Sequence, residues 1–268
     1  MEQLKGKLMT VRTLAEDFRR LGMCPGMTVI VHSSFKSIGS WVLGGPVSVI
    51  LALEEVLGPE GTLVMPAHST DLSDPAGWQN PPVDPAWWDV IRENMPPYDR
   101  DLTPTNRMGI IAELFRKQNG VLRSAHPQLS FAARGKHAGM VTDNHSYEYG
   151  LGENSPLARI YELDGHVLLL GVDNGNNTSI HLAECRSSYP SKQETAAYAP
   201  VVANGQRQWI GYADLAYDSS DFSRIGEDFE RDTGLVKRGL IGQSSALLLP
   251  QRAVVDYAVE WMKRNRKS

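Results

Sequence analysis

Cysteine is nearly absent: Cys24 and Cys185 are the two in 268 residues. They are too few for a disulfide framework, and no CxxC or Cys/His spacing suggests a zinc site. The sequence has no apolar run of about 18 residues, the length a membrane helix needs. Its opening MEQLKGKLMT lacks an apolar core followed by a small-residue cleavage site. A cytoplasmic protein without a membrane partner is therefore expected. Excess positive charge is also missing: 27 Lys and Arg against 31 Asp and Glu give a formal net charge of −4, which argues against general nucleic-acid binding. Neither GxxxxGK[ST] nor HExxH occurs, removing the main supports for nucleotide triphosphate hydrolysis and zinc proteolysis. The basic cluster Lys263, Arg264, Arg266 and Lys267 reads as a solvated helix end.

With 41% hydrophobic and 22% charged residues, the chain can bury a large core, and one domain over residues 1–268 is expected. Thr13 is placed to cap a helix carrying Leu14, Phe18 and Leu21, followed by the β-rich run MTVIVH at 27–32. Pro46 sits where a first helical residue belongs, with Val47, Ile50, Leu51 and Leu57 behind it at helical spacing. GPEG then turns the chain into the short strand TLVMP. Strand, helix and strand make a βαβ crossover, so the expected class is α/β: a mixed, largely parallel central sheet flanked by helices.

From 67 to about 105 this pattern gives way to Pro, Trp, Asn and Asp, a segment far longer than ordinary connections. Asp71, Asp74, Asp84, Asp89, Glu93, Asp99 and Asp101 stand there against Arg92 and Arg100, with Trp78, Trp87, Trp88 and Tyr98 interleaved. Two readings stay open: a surface loop packed on its own aromatics, or a lid that binds cations. Beyond it, helices are expected near 108–117, after Ser155-Pro156, near 222–232 and at the C-terminal end. Strands are expected near 129–133, at HVLLLGV (166–172), twice within 197–212 and at SALLLP. The density of apolar residues in HVLLLGV suggests burial on both faces.

The stretch LLLGVDNGNNTSIHLAEC passes from apolar strand to polar loop to helix. Such loops at the carboxyl ends of strands form the usual ligand crevices of α/β sheets. Asn177 or Thr178 would cap the helix, with His181 in its first turn and Glu184 one turn on, on the same face. The helix dipole disfavours imidazolium while Glu184 favours it, so the ring can stay neutral and still accept a proton during reaction. A histidine merely hydrogen-bonded at a helix start is the alternative. The second constellation, VIVHSSFKSIG, offers backbone N–H groups, hydroxyls and one lysine after a strand, which suit phosphate oxygens as well as an ordinary serine-rich turn. His126 reads as structural, and His68 and Asp71 follow a strand end where they can face the same crevice. His32, His137, His145 and His166 show no partner in the sequence, and Cys185 lacks the orienting residues of a thiol nucleophile.

Taken in order, VHSSFKSIG, LGPEGTLVMP, TPTNRMG, SAHPQLSF, GENSPLARIYELDGHVLLLGV and NNTSIHLAE closely resemble the aminoglycoside 3-N-acetyltransferase family, also called antibiotic N-acetyltransferases. The resemblance implies an α/β fold distinct from GNAT acetyltransferases. It also implies transfer of acetyl from acetyl-coenzyme A to the 3-amino group of a 2-deoxystreptamine aminoglycoside, the chemistry of antibiotic resistance. The family's base falls on His181, with Glu184 as its nearby carboxylate, and its later acidic residue falls on Asp214. The coenzyme loop falls on Ser33, Ser34, Phe35, Lys36, Ser37 and Ile38, joined by Thr105, Met108 and Gly109. For the polycationic substrate, Asp71, Glu153 and Asn177 are the expected contacts, with no metal, in a monomer or homodimer. Three alternatives remain: the same transfer to another amine, a metal-dependent hydrolase built on His68, Asp71, His126, His181 and Glu184, and a non-catalytic coenzyme A binder.

Overall fold

Thr10, not Thr13, starts the first helix. The structure, a computed structural model, describes residues 7–267; the reading of MEQLKGKLMT as free of a leader falls largely on residues 1–6, outside the described residues. After the short strand β1 (Leu8–Met9), the Thr10 side chain accepts from the Thr13 amide at 3.2 Å and Thr13 Oγ1 accepts from the Thr10 amide at 2.9 Å. This reciprocal cap opens α1 (Val11–Leu21), which buries Leu14, Phe18 and Leu21 as expected and ends at the left-handed Gly22. The chain continues through β2 (Thr28–Ser33), β3 (Trp41–Val42), α2 (Pro46–Leu57) with Pro46 at its start, and β4 (Thr62–Pro66). The 67–105 excursion carries one short helix, α3 (Trp88–Asn94). Then follow α4 (Gly109–Arg116), β5 (Leu122–Arg123), β6 (Phe131–Gly135), α5 (Ala138–Thr142), α6 (Pro156–Glu162) and β7 (His166–Leu170). The remaining elements are α7 (Ser179–Arg186), β8 (Glu194–Ala203), β9 (Gln206–Leu215), α8 (Phe222–Thr233), β10 (Lys237–Ile241), β11 (Ser244–Pro250) and α9 (Gln251–Asn265).

A seven-stranded sheet in the order β10-β11-β7-β2-β4-β6-β5 divides two hydrophobic cores. Val29 and Val31 of β2 and Leu168 and Leu170 of β7 face α1, α2 and α4. Their alternates Ile30, Val167 and Leu169 face α6, α7, α8 and α9. Burial on both faces explains the unbroken apolar reading of these strands. The class is mixed α/β, but within this sheet parallel pairing is confined to β7, β2 and β4. The other four pairings are antiparallel, so the sheet is not largely parallel. The single crossover legible in the sequence covers only the centre of the sheet, whereas both flanks turn back on themselves. Outside the sheet, β8 and β9 form a separate hairpin whose turn residues Asn204 and Gly205 both have positive φ, the geometry that matches strand twist in a tight hairpin.

The three parallel strands place their carboxyl ends side by side. The serine loop leaves β2, the long excursion leaves β4, and NGNNTSIHLAE leaves β7. Because β2 is central and the chain moves to opposite sides of it, this is the topological switch point where open α/β sheets bind ligands. Gly171, directly after β7, has φ +67°, and a Cβ there would lie 1.6 Å from Ser37 Oγ. Gly171→Ala must therefore adopt a left-handed backbone and push the serine loop aside. We expect a loss of about 2–3 kcal/mol in urea unfolding, from the sum of backbone strain and overpacking.

Candidate active site

His181 is the third residue of α7, held over the ends of the parallel strands. Its ring packs against Phe222 with centroids 4.7 Å apart and meets Tyr217 edge-on at 5.0 Å. Nδ1 is hydrogen-bonded to Glu184 Oε2 one turn along the helix, as the i, i+3 spacing requires. The Nδ1 proton is thus committed, and Nε2 is the nitrogen left to accept another. The ring is 17% exposed and the carboxylate only 1%, so the pair is desolvated at one end and accessible at the other.

What holds Glu184 comes from distant parts of the chain. Its Oε1 accepts from the Asp218 amide at 3.0 Å and from Arg266 Nη1 at 2.6 Å. The expected solvated helix end does not hold for Arg266, whose side chain is 8% exposed, while its neighbours Lys263, Arg264 and Lys267 are exposed. A buried guanidinium needs partners for all its donors, and here it finds Glu184, Asp221, Tyr189 Oη and the Asp218 carbonyl. Asp214, the other carboxylate expected near the base, makes no hydrogen bond to His181 and instead accepts from its neighbouring Leu215 amide. Burial raises its pKa, against hydrogen bonds from Tyr217 and from the Leu215 and Gly150 amides. Glu184 is the carboxylate that orients the ring.

Two further histidines join this site, His32, which shows no partner in the sequence, and His68, expected to face the crevice. His32 lies at the end of β2 in the alternation that faces α7, and His68 lies just beyond β4. Both are buried, and burial together with the nearby His181 pushes each down to about 3, so both are neutral. Neither Nε2 has a hydrogen-bond partner among the described residues. By contrast, His126 is structural as expected: Nδ1 accepts from the amides of Gln128 and Leu129, and Nε2 donates to the Tyr147 carbonyl. His145 is likewise spent, between Ser124 Oγ and the Gly150 carbonyl.

The serine loop folds as a short 3₁₀ turn over Phe35–Ile38. It is tied to β7 by the Ser34 amide on the Leu170 carbonyl at 2.8 Å, and Ser37 Oγ bonds the Ser34 carbonyl at 2.6 Å and Ser244 Oγ at 2.9 Å. Lys36 is exposed, and Phe35 and Met108 pack on the core beneath. Gly109, with φ +81°, opens α4 close to this loop: a Cβ there would lie 3.6 Å from the Ser33 carbonyl. The two segments matched to coenzyme binding are therefore adjacent. Thr105 anchors them from behind, with its amide and hydroxyl both donating to Glu113 at 3.0 and 2.9 Å.

The substrate residues separate into different places. Asp71 is exposed and lines a cleft of about 530 Å³ with Trp78, Asn80, Asn106 and Arg107. Several other acids of the excursion hold the loop itself: Asp74 takes Arg92 and the Ala76 amide, Asp84 the Ala86 amide, and Asp99 the amides of Asp101 and Leu102. Glu153 lines another cleft, of about 360 Å³, with Glu148, Tyr149, Cys185 and Glu194. Arg186 binds Glu153 through two nitrogens, at 2.6 and 2.9 Å, and holds its carboxyl below the usual range. Asn177 needs correction as a substrate contact. It is fully buried, its Oδ1 accepts from the Ser179 amide and its Nδ2 donates to Asn174, so it shapes the entry to α7 from inside. Burial pushes the Cys185 thiol up to about 12, far from a reactive thiolate.

Among the described residues, no three His, Cys, Asp or Glu side chains come together as a metal site, so the hydrolase set is not assembled. No helix among them is long and apolar enough to cross a membrane.

A family model described as aminoglycoside 3-N-acetyltransferase matches residues 30–263. The chain is 45% identical over 257 residues to the SPbeta prophage-derived aminoglycoside N(3')-acetyltransferase-like protein YokD of Bacillus subtilis (strain 168), covering 96% of this chain and 93% of that one. The crystal structure of YokD superposes with a TM-score of 0.94 over 97% of this chain and 96% of its own, at 44% identity. Aminoglycoside N(3)-acetyltransferase VII of Streptomyces paromomycinus is 35% identical over 270 residues, covering 93% of this chain and 90% of that one. A solved binary complex of AAC-IIIb with CoASH matches with a TM-score of 0.86 at 30% identity, over 98% of this chain and 99% of that one.

Proposed function

The chain belongs to the aminoglycoside 3-N-acetyltransferase family, an acyltransferase family, and from that premise we propose that it moves acetyl from acetyl-coenzyme A to the 3-amino group of a 2-deoxystreptamine aminoglycoside. The observation that carries the reading is the His181–Glu184 pair at the switch point, beside the serine loop. An ammonium group cannot attack a thioester until it loses a proton. That first proton leaves to solvent; as the free amine nitrogen then bonds the thioester carbon, His181 Nε2 takes a second proton from it, and Glu184 stabilises the resulting imidazolium. Collapse of the tetrahedral intermediate breaks the carbon–sulfur bond, and the departing thiolate receives the proton from His181. The donors available to the transient oxyanion are the neutral His32 and His68 rings, whose Nε2 atoms lack protein partners, and the first amides of the serine turn. No protein nucleophile is required, consistent with the raised pKa of Cys185.

Coenzyme A is placed against Ser33–Ile38 and Gly109, supported by their adjacency and by the coenzyme in the AAC-IIIb relative. Asp71 is the carboxylate best placed to receive a substrate ammonium, because it is exposed in an open cleft whereas Glu153 is already paired. One domain spanning the chain contains the whole apparatus. The test is thiol release from acetyl-coenzyme A against a panel of aminoglycosides. Turnover is expected with at least one 2-deoxystreptamine compound; release that occurs only with unrelated amines would replace the acceptor while keeping the chemistry.

A further inference from the structure

We propose that Arg266 is a positioning residue for catalysis: its guanidinium fixes the Glu184 carboxylate against His181 and sets how readily that ring takes up a proton. The inference deepens the reading of His181 as the base and rests on it. Glu184 and Arg266 are 82 residues apart in the chain, and their contact brings the end of α9 beneath the catalytic helix. Glu184 spends Oε2 on His181 Nδ1 and Oε1 on Arg266 and the Asp218 amide. With both donors on one oxygen, the carboxylate cannot rotate without stripping two buried hydrogen bonds, so its other oxygen stays aimed at the imidazole.

Arg266 is itself over-determined. Nε and Nη2 hold Asp221 at 2.8 and 2.7 Å, Nη2 also reaches the Asp218 carbonyl at 2.6 Å, and Nη1 reaches Tyr189 Oη at 3.0 Å. The Tyr189 ring lies 5.0 Å from the guanidinium carbon. Lysine cannot reproduce this planar fork. The clamp is therefore built for orientation as well as for charge.

The charge has its own consequence. A bare carboxylate beside histidine stabilises imidazolium strongly and makes a base that is protonated too early. A cation on the far side of that carboxylate opposes this field at the ring. The other groups facing this cluster are Asp214 from β9, Asp218 and Asp221 before and at the start of α8, Tyr217, Tyr189, Cys185, and the neutral His32 and His68 from the strand ends. None of them replaces Arg266 on Glu184, because the remaining donor there is the uncharged Asp218 amide.

The test compares Arg266→Gln with Arg266→Lys, reading kcat/KM against pH and following the His181 ring by NMR titration without substrates. Arg266→Gln removes the positive charge, so the acid limb of the profile and the ring titration should both move up by about one pH unit, and kcat should fall by roughly 10-fold or more. Arg266→Lys keeps the charge, so the limb should stay within a few tenths of wild type while kcat falls through lost orientation. Unchanged KM for acetyl-coenzyme A is expected in both. If Arg266→Gln does not fold, the lysine variant still decides: a wild-type kcat, or a displaced limb, overturns the proposal. A glutamine variant that is folded and keeps both the wild-type limb and the wild-type ring titration also overturns it. Because the ring titration needs no turnover, a wrong assignment of the base shows as a shifted ring with an unshifted rate profile, which separates the two failures.

Discussion

Replacing His181 with alanine is expected to lower kcat for acetyl transfer by about 10²- to 10⁴-fold while leaving the melting temperature close to wild type. The ring stands at the rim of the site, 17% exposed, and stacks on Phe222 and Tyr217 without entering the deep core. Its loss removes the proposed proton acceptor, whereas acetyl-coenzyme A binding, proposed for the serine loop, should persist. The expected signature is therefore a fall in kcat with KM for acetyl-coenzyme A nearly constant. The fall should shrink as the pH approaches the range where the acceptor amine loses its proton to solvent. Undiminished kcat in a folded variant would remove His181 from the chemistry.

Glu184→Gln should be almost as damaging, for a reason that depends on the orientation of the site. Oε1 receives two donors, Arg266 Nη1 and the Asp218 amide, so the oxygen of glutamine must occupy that position. Its NH₂ then faces His181 Nδ1 and obliges that nitrogen to accept, which moves the ring proton to Nε2. The base is held in the wrong tautomer and cannot take a proton from substrate. Where a buried carboxylate orients a catalytic histidine, this change costs up to about 10⁴-fold in kcat, and we expect about 10³- to 10⁴-fold here. The side chain keeps its volume and one acceptor, so thermal unfolding should show a much smaller effect than kcat does. Activity within a few-fold of wild type would mean that Glu184 does not set the tautomer.

Much of this arrangement could be read from residues close in sequence. Pro46 and the apolar spacing behind it marked α2, and Asn177 to Glu184 marked a strand-to-helix entry with His181 and Glu184 on one face. The features that escaped depend on distant partners. Arg266 looks like any other basic residue at a helix end until the fold brings Glu184 and Asp221 to it. His32 has no neighbour in sequence that gives it a role; strand alternation and the meeting of β2 and β4 do. Strand β10, with its exposed KRG, lacks the apolar signature because it is an edge strand. The direction of the flanking strands could not be read either, since pairing direction is decided by where long connections return. Thr13 drew the helix start because it directly precedes the apolar residues, but the cap is reciprocal and Thr10 begins it.

The most direct test of the central claim is the position of the acetyl group in the product. Wild-type enzyme, acetyl-coenzyme A and a 2-deoxystreptamine aminoglycoside should yield one equivalent of free thiol and a product whose NMR spectrum shows a single acetamide on the 3-amino nitrogen. Acetylation at another amine, or thiol release without an acetylated aminoglycoside, would contradict it.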